Sequence, residues 1–226
     1  MRRLLAVVCA AGVLLSSAAA VTATSAQTFH FQFSSTGAEG IWSTLTGAPV
    51  TGALYRDTVI IAAPNRLRFS GAPVTSPQVL FISLEYTFDA GGNMVPLTQI
   101  DTDGFPASLT FDPFLKAGSG NFSGAGENCL LDASGNPTTC SDVTIAISAS
   151  WIGSGSLMHS LDNQRLGSAG EFRFSQVQTT LVRAASATAV ATVDGTPLDL
   201  GQNTAADLFA TRFGTMEVCV PNAFCP

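Results

Sequence analysis

The stretch Val143–Trp151, VTIAISASW, alternates apolar and polar side chains with a period of two. Its odd-numbered positions hold Val, Ile, Ile, Ala and Trp, whereas its even-numbered positions hold Thr, Ala, Ser and Ser. Successive side chains of a β-strand point to opposite faces of the sheet, so this pattern predicts a strand with one buried face.

The same alternation recurs at residues 29–33, 66–70, 80–88 and 171–175, and turn-forming residues such as Asp194-Gly195 lie between such runs. Short strands at this spacing predict an all-β fold. We expect an antiparallel sandwich or barrel of about ten to thirteen short strands with little helix. The predicted core contains Phe31, Phe69, Ile82, Leu84, Ile145, Ile147, Trp151, Phe172 and Phe174.

Two further segments can be read as helix or strand. Thr204–Phe213 fits a helical stripe, but its alternation of small and large residues also fits a strand. Arg183–Val193 is rich in alanine, yet it alternates Ser, Thr and Val and ends at Asp194-Gly195. We predict strands for both segments.

Residues 1–26 have the pattern of a secretory signal peptide. Arg2 and Arg3 precede the apolar run Leu4–Leu15, and Thr24-Ser25-Ala26 offers small residues for cleavage. The apolar run is too short to span a bilayer, and no second long run follows, so we predict no membrane span in the mature chain. The mature protein is expected to be secreted, either extracellular or periplasmic in a bacterium with two membranes.

No Pro-rich or Gly/Ser-repeat linker divides the remaining residues, 27–226. We predict a single all-β domain over this range. Two packed β halves divided near residues 116–142 are the alternative, because that segment is rich in Gly, Ser and Asn.

Four cysteines remain after residues 1–26 are removed, and an even number in an exported chain predicts two disulfides. We expect the local pairs Cys129–Cys140 and Cys219–Cys225, which flank short, turn-rich segments. Zinc is the rival interpretation. Structural zinc sites use closely spaced Cys-x2–4-Cys pairs, which these cysteines do not form, and no histidine lies near them.

Charged residues make up only 12% of the 226-residue chain, and the net charge is −6. Globular chains average ~25%, and a long helical bundle or coiled coil needs a charged surface, so this composition argues against such folds. Lys116 is the only lysine. We predict no nucleic-acid binding, because phosphate contacts need clustered Lys and Arg and no such cluster occurs along the sequence.

A loose resemblance covers residues 140–195. Trp151-Ile152-Gly153-Ser154-Gly155, followed by Phe172-Arg173-Phe174 and the Ala-rich strand from Arg183, resembles a group of exported bacterial β-rich proteins of about this size. The resemblance implies export and a β fold. No activity is known for that group, so it implies nothing about mechanism.

One string is typical of a metal-binding loop, Asp101-Thr102-Asp103-Gly104. Alternate carboxylates followed by glycine can begin a calcium loop, and Asp112 could supply a further oxygen. The rest of an EF-hand pattern is absent, because Phe105 occupies the fifth position. We expect a β-turn here, with no cofactor. Weak calcium binding through Asp101 and Asp103 is the alternative.

The titratable residues do not assemble a familiar catalytic motif. Ser156, His159 and Asp162 are close in sequence, but the polarity of a loop explains them equally well, and no Gly-x-Ser-x-Gly elbow occurs. Paired carboxylates for glycoside hydrolysis could come from strand residues. The candidates are Glu85, Glu171 and Glu217.

Trp42 is the better candidate for an exposed ring that could stack on a sugar, because it lies near a turn. Burial of Trp42 is the favoured outcome. The sequence as a whole favours a non-catalytic exported protein, a binding or structural module at the cell surface or outside the cell. The alternative is a small secreted carbohydrate-active hydrolase with paired carboxylates such as Glu85 and Glu171.

Overall fold

The computed structural model describes residues 28–69, 73–102, 107–167 and 173–219. Within these ranges the chain forms eleven β-strands and no helix, so the predicted all-β class and strand number are confirmed. Several strands are longer than expected. The strands are β1 (Thr28–Ser43), β2 (Tyr55–Phe69), β3 (Val74–Phe88), β4 (Met94–Thr102), β5 (Ala107–Phe111), β6 (Ala117–Leu131), β7 (Pro137–Gly153), β8 (Met158–Gly167), β9 (Arg173–Val193), β10 (Thr196–Leu198) and β11 (Gln202–Cys219).

The strands pair antiparallel in one sheet whose hydrogen bonds close into a ring. The ring runs β1–β2–β3–β4–β6–β7–β9–β11 and returns to β1. Strand β5 shares one edge of β6 with β4, and β8 shares one edge of β9 with β7. Most connections between neighbouring strands are hairpins. Within each strand, successive side chains point alternately into and out of the ring, so every second residue enters it.

The inside of the ring is filled with apolar side chains. Ile145, Ile147 and Trp151 of the stretch Val143–Trp151 are buried there, as the alternation predicted. They pack with inward-facing residues from each of the other seven strands of the ring. The main partners are Ala38, Trp42, Ile60, Ala62, Val79, Phe81, Ile100, Phe122, Ala187, Ala191, Ala206 and Leu208.

In strand β3 the predicted inward face is wrong. Ile82 and Leu84 are only half-buried, whereas Phe81 and Ser83 are buried inside the ring. Both faces of this strand carry apolar residues, so alternation alone could not choose between them. Burial of Ser83 is stabilised by Thr58 on β2, whose hydroxyl oxygen lies 3.0 Å from that of Ser83.

Four other residues predicted for the core have no described side chain. Phe172 lies outside the described residues, and the side chains of Phe31, Phe69 and Phe174 are also not described. The two ambiguous segments are strands, as predicted: Arg183–Val193 ends β9, and Thr204–Phe213 lies within β11.

Two hairpin turns share one motif, Asp89-Ala90-Gly91-Gly92-Asn93 and Asp132-Ala133-Ser134-Gly135-Asn136. In each turn the aspartate Oδ1 accepts hydrogen bonds from the backbone N–H groups two and four residues later, at 2.8–2.9 Å. Bonds from the asparagine hold the pKa of each aspartate below its usual value. The turns between β3 and β4 and between β6 and β7 are therefore closed by the same side-chain device.

Beyond the ring, parts of six strands continue as a sheet extension. It consists of residues 74–79, 64–69, 28–36, 210–219, 173–182 and 158–167, from β3, β2, β1, β11, β9 and β8 in that order. One face of this extension continues the inner surface of the ring. Strand β8 forms one edge, and both faces of its residues 158–165 are exposed.

The segment near residues 116–142 is largely regular structure. It forms β6, the turn at Asp132 and the start of β7, which pair as a hairpin within the ring. No helix in the described part of the chain is long and apolar enough to cross a membrane.

Candidate functional site

Three carboxylates occupy one row across neighbouring strands on the outer surface of the ring. Asp101 on β4 is directly opposite Glu127 on β6, and Glu127 is directly opposite Asp142 on β7. Directly opposed residues of antiparallel strands have Cβ atoms about 4.5–5.5 Å apart. The sheet therefore brings together three acids, here called the acid row, that lie up to 41 positions apart in the sequence.

The acid row lines an open cleft of about 560 Å³. Leu80 and Ile82, the outward residues of β3, form its apolar wall, and Gln99 donates a hydrogen bond of 2.6 Å to Asp101. Thr102, Ala125 and Gly126 complete the lining. Carboxylates that line a concave surface can contribute to cation-binding or glycoside-cleaving sites. The carboxylate oxygens of these three acids do not all lie within 4.8 Å of one another.

Gly126 sets the position of the central strand of the cleft. A Cβ atom at this residue would lie 2.7 Å from the carbonyl oxygen of Asp101 and 2.5 Å from Cδ1 of Ile145. Only glycine permits this approach, because the neighbouring β4 backbone leaves no room for a side chain. Gly126 thus holds Asp101 and Glu127 in register.

A disulfide anchors the other side of the acid row. Cys129 and Cys140 are cross-strand neighbours and are bridged, as predicted from the sequence. Glu127 Oε2 lies 4.0 Å from Cys129 Sγ. These three residues are close enough to suggest a metal site, but bridged sulfurs are not thiolates and do not ligate zinc. The pair Cys219–Cys225 lies outside the described residues, apart from the backbone of Cys219.

Among the residues expected to form a calcium loop, the structure places Asp112 far from Asp101 and leaves the pair Asp101 and Asp103 a prediction. Asp101 lies in strand β4, and Asp103 lies outside the described residues. Asp112 closes the turn before β6, where its backbone N–H donates to the carbonyl oxygen of Ala117. Ala117 is ten positions along β6 from Glu127, which places Asp112 about 30 Å from Asp101. Asp112 as a third ligand is therefore wrong.

Glu85, the other acid proposed for catalysis, has a structural partner. It forms an ion pair of 2.6 Å with Arg56 on the neighbouring strand. Glu171 lies outside the described residues, and the side chain of Glu217 is not described. Sequence reasoning did not single out Glu127 or Asp142, because nothing along the chain indicates that they meet Asp101.

His159 and Asp162 do not form part of a triad. The register of β8 pairs His159 with Leu181 and Asp162 with Gln178 on β9. Residues three apart in a strand point to opposite faces, so the imidazole and the carboxylate cannot meet.

Trp42 is buried, with 3% of its surface exposed, and it cannot act as an exposed stacking ring. Its indole folds back over Gly40, where any side chain would collide with the ring. Gly40, two positions before Trp42, leaves room for the indole and is the feature of the sequence that favours burial of Trp42.

A second polar cluster fixes the loop between β1 and β2. Asp57 accepts hydrogen bonds from the hydroxyls of Ser43 at 2.6 Å and Tyr86 at 3.2 Å. The Tyr55 hydroxyl oxygen accepts one from the backbone N–H of Val50 at 2.8 Å. Burial, with the Asp57 carboxylate beside it, raises the pKa of Tyr86. Among the described residues of this cluster, Asp57 is the only possible general base for Ser43. We therefore assign the cluster a structural role.

Replacing Tyr86 with phenylalanine tests that role. At neutral pH the variant should lose about 1 kcal/mol of unfolding free energy with the hydrogen bond to Asp57. Because the folded-state pKa of Tyr86 is raised above its ordinary value of 10.0, the wild-type protein should lose stability as pH rises above that value. Urea unfolding between pH 7 and 11 should show a flatter pH dependence for the variant, and an unchanged dependence would contradict the assignment.

The acid row also makes a prediction for Glu127. Like charges directly opposite each other in a sheet destabilise it, so Glu127→Gln should raise the free energy of unfolding by about 0.5 kcal/mol in chelator. Thermal melts with and without millimolar calcium provide the measurement. If calcium stabilises the wild-type chain and Glu127→Gln abolishes that effect, the row binds the ion and the prediction of a purely repulsive row is wrong.

Comparisons with protein-family models, with curated proteins and with solved structures found no match to this chain. The class is therefore defined by the fold itself, an all-β protein with a closed ring of antiparallel strands, a disulfide and an acid-lined outer cleft.

Proposed function

We propose that this chain is an exported, non-catalytic β-rich protein that acts as a binding or structural module outside the cell or at its surface. The N-terminal residues 1–26 support export through their signal-peptide pattern. The Cys129–Cys140 disulfide supports it independently, because disulfides persist in oxidising compartments. The resemblance of residues 140–195 to exported bacterial proteins points the same way.

The observation that carries the binding function is the contrast between the inside and the outside of the ring. The interior is occupied by large side chains such as Trp151 and Phe81, so a ligand must bind outside. On the outer face of β6, β7 and β9, side chains in register are mostly small and uncharged. This face, here called the hydroxyl face, includes Ser119, Ser150, Thr188, Asn121, Ser148, Ser123, Ser186 and Thr192.

The hydroxyl face suits uncharged, hydroxyl-rich ligands. Its Ser and Thr side chains can each donate and accept a hydrogen bond, and Ser150 and Thr188 already interact at 2.8 Å. Such a surface can contact a polysaccharide or another cell-surface polymer without desolvating a charge. The ligand class is set by this chemistry, and export brings the protein to where such polymers occur.

A glycan array on the mature chain, run beside a broad hydrolase screen, tests this proposal. We expect binding to at least one glycan class with no turnover of any substrate. Substitution of Ser119, Ser150 and Thr188 by aspartate should weaken binding to neutral glycans, whereas Asp199→Asn, off this face, should not. Turnover would contradict the non-catalytic assignment, and a blank array would contradict glycan binding.

Export needs a separate test. Expression of the full chain in a secreting host should release a product that begins at Gln27, as shown by intact mass. Retention of residues 1–26 on a cytoplasmic product would contradict export.

The second candidate is a small carbohydrate-active hydrolase, and one observation favours it. Asp101, Glu127 and Asp142 provide carboxylates on adjacent strands that line one cleft, and glycosidases use a pair of carboxylates that flank the scissile bond. The cleft walls from described residues hold no aromatic ring for a sugar to stack on. A hydrolase that depends on this row should lose activity in Glu127→Gln, and that variant separates the two candidates.

A further inference from the structure

Arginines that are dispersed in the sequence meet on one face of the sheet extension. Arg66 on β2 and Arg212 on β11 are both opposite Ser34 of β1, so the three residues form one row across the sheet. Arg68 lies two positions beyond Arg66 on the same side of its strand. All three arginines are exposed. The fold therefore builds a cationic surface that the sequence does not reveal.

Arg183 joins this surface where the extension meets the ring. Its register partner is Leu208, a buried residue of the inner face, and its Cδ lies beside Gly153. The Nε atom of Arg183 is buried and has no hydrogen-bond partner in the described part of the chain. A buried guanidinium nitrogen without an acceptor is costly, and an anionic group beside the rest of this half-buried side chain would offset part of that cost.

Arg165 on β8 lies on the same face, because it is four positions from Leu161, which is in the row of Arg212. We call the five residues Arg66, Arg68, Arg165, Arg183 and Arg212 the arginine face. Glu217 on β11 lies in the row of Arg165, because both residues are opposite Ser175 of β9, so the register places one acid on this face. No described ion pair involves Arg66, Arg165 or Arg212. Five arginines with one acid leave this face net positive in a chain whose net charge is −6.

The dimensions of the face favour a polymer over a small anion. Arg66 and Arg212 are separated by two strand spacings, about 10 Å. Arg183 is four residues along the sheet from the row of Arg212, about 13 Å. One small anion cannot bridge these distances, whereas a linear chain with repeated negative charges can.

We propose that the arginine face binds an acidic polysaccharide, a linear polymer that carries carboxylate or sulfate groups. This inference rests on the proposed role as an exported binding module, since export would bring the face to such polymers. Arginine pairs with both groups through paired N–H donors. A nucleic acid fits less well, because the described residues of this face include no Phe, Tyr or Trp on which bases could stack.

The test measures binding of the mature chain to four immobilised polymers: polygalacturonate, heparin, dextran and an oligothymidine strand. We expect binding to polygalacturonate and heparin that weakens with added salt. Any binding to dextran should be the same for the wild-type chain and the arginine variants. The double variant Arg66→Ala/Arg212→Ala should bind both acidic polymers about tenfold more weakly.

Two controls make the result specific. Arg66→Lys/Arg212→Lys keeps both charges and should retain most of the binding. Val50→Ala, an exposed position in the loop between β1 and β2, should not change it. Circular dichroism and a thermal melt of each variant confirm that it is folded.

Several outcomes would overturn the proposal: no binding to either acidic polysaccharide, equal binding by the alanine variant, or tighter binding to oligothymidine. Salt-sensitive self-association that the alanine variant abolishes would instead indicate that the face docks on the acid row of a second copy. If the arginine face does not bind acidic polymers but the glycan array is positive, the proposed function stays intact. The two proposals can therefore be judged separately.

Discussion

Replacing Trp151 with alanine is expected to lower the free energy of unfolding by about 3–5 kcal/mol. The Trp151 side chain is only 1% exposed and packs against the Phe111 ring at a centroid distance of 6.3 Å. Its indole N–H also donates a hydrogen bond of 3.0 Å to the backbone carbonyl of Glu39, which joins opposite sides of the ring. The variant therefore loses both a large buried volume and the only donor that the indole offers to that carbonyl.

Ile152→Ala is the matched control, because Ile152 is the next residue in the same strand and is 65% exposed. We expect it to change the free energy of unfolding by no more than about 0.5 kcal/mol. Urea unfolding followed by tryptophan-independent circular dichroism measures both variants. Similar costs for the two substitutions would mean that the assigned inner and outer faces of β7 are incorrect.

Removing the Cys129–Cys140 bridge has the second-largest expected effect. The two cysteines are separated by 11 positions, and closing a loop of this length is worth about 2–3 kcal/mol in the chain-entropy model. The double variant Cys129→Ser/Cys140→Ser should lose about that amount in urea unfolding. The bridge also holds the strand ends beside Glu127, so the acid row should become less ordered.

Non-reducing peptide mapping of the wild-type chain provides the accompanying check. It should recover a Cys129–Cys140 peptide pair, and it also tests Cys219–Cys225, which stays a prediction. Full stability of the serine variant would contradict the chain-entropy account. A crossed pairing in the peptide map would contradict the connectivity.

Local patterns were sufficient to predict much of the fold. Alternation from Val143 to Trp151 gave the right inner face, because only one parity of that strand is apolar. The Cys129–Cys140 pair was predictable because both residues flank a short turn and therefore lie opposite each other in a hairpin. Strand assignments for Arg183–Val193 and Thr204–Phe213 also follow from period-two patterns and flanking turn residues.

The features of the fold that were not predicted depend on which strands lie next to each other. In β3 both parities are apolar, and the choice of Phe81 over Ile82 for the interior depends on the partners supplied by β2. Closure of the ring and the length of the extension arise from pairings between distant segments, such as β1 with β11.

The acid row and the arginine face depend even more on the pairing of distant strands. Asp101, Glu127 and Asp142 meet only because β4, β6 and β7 are adjacent in the sheet. The arginine face likewise draws on β2, β8, β9 and β11, so a search for basic runs along the chain could not find it. Short-range turn chemistry, by contrast, is visible in the sequence, as the repeated Asp-Ala-x-Gly-Asn turns show.

The proposed function is to bind polymers outside the cell without cleaving them. The most direct measurement follows retention on an insoluble polysaccharide selected from the glycan array and the release of new reducing ends in the same sample. We expect retention of the mature chain with no reducing ends above those in a protein-free control. Reducing ends that accumulate with the wild-type chain and not with Glu127→Gln would contradict it and would identify the acid row as a catalytic centre.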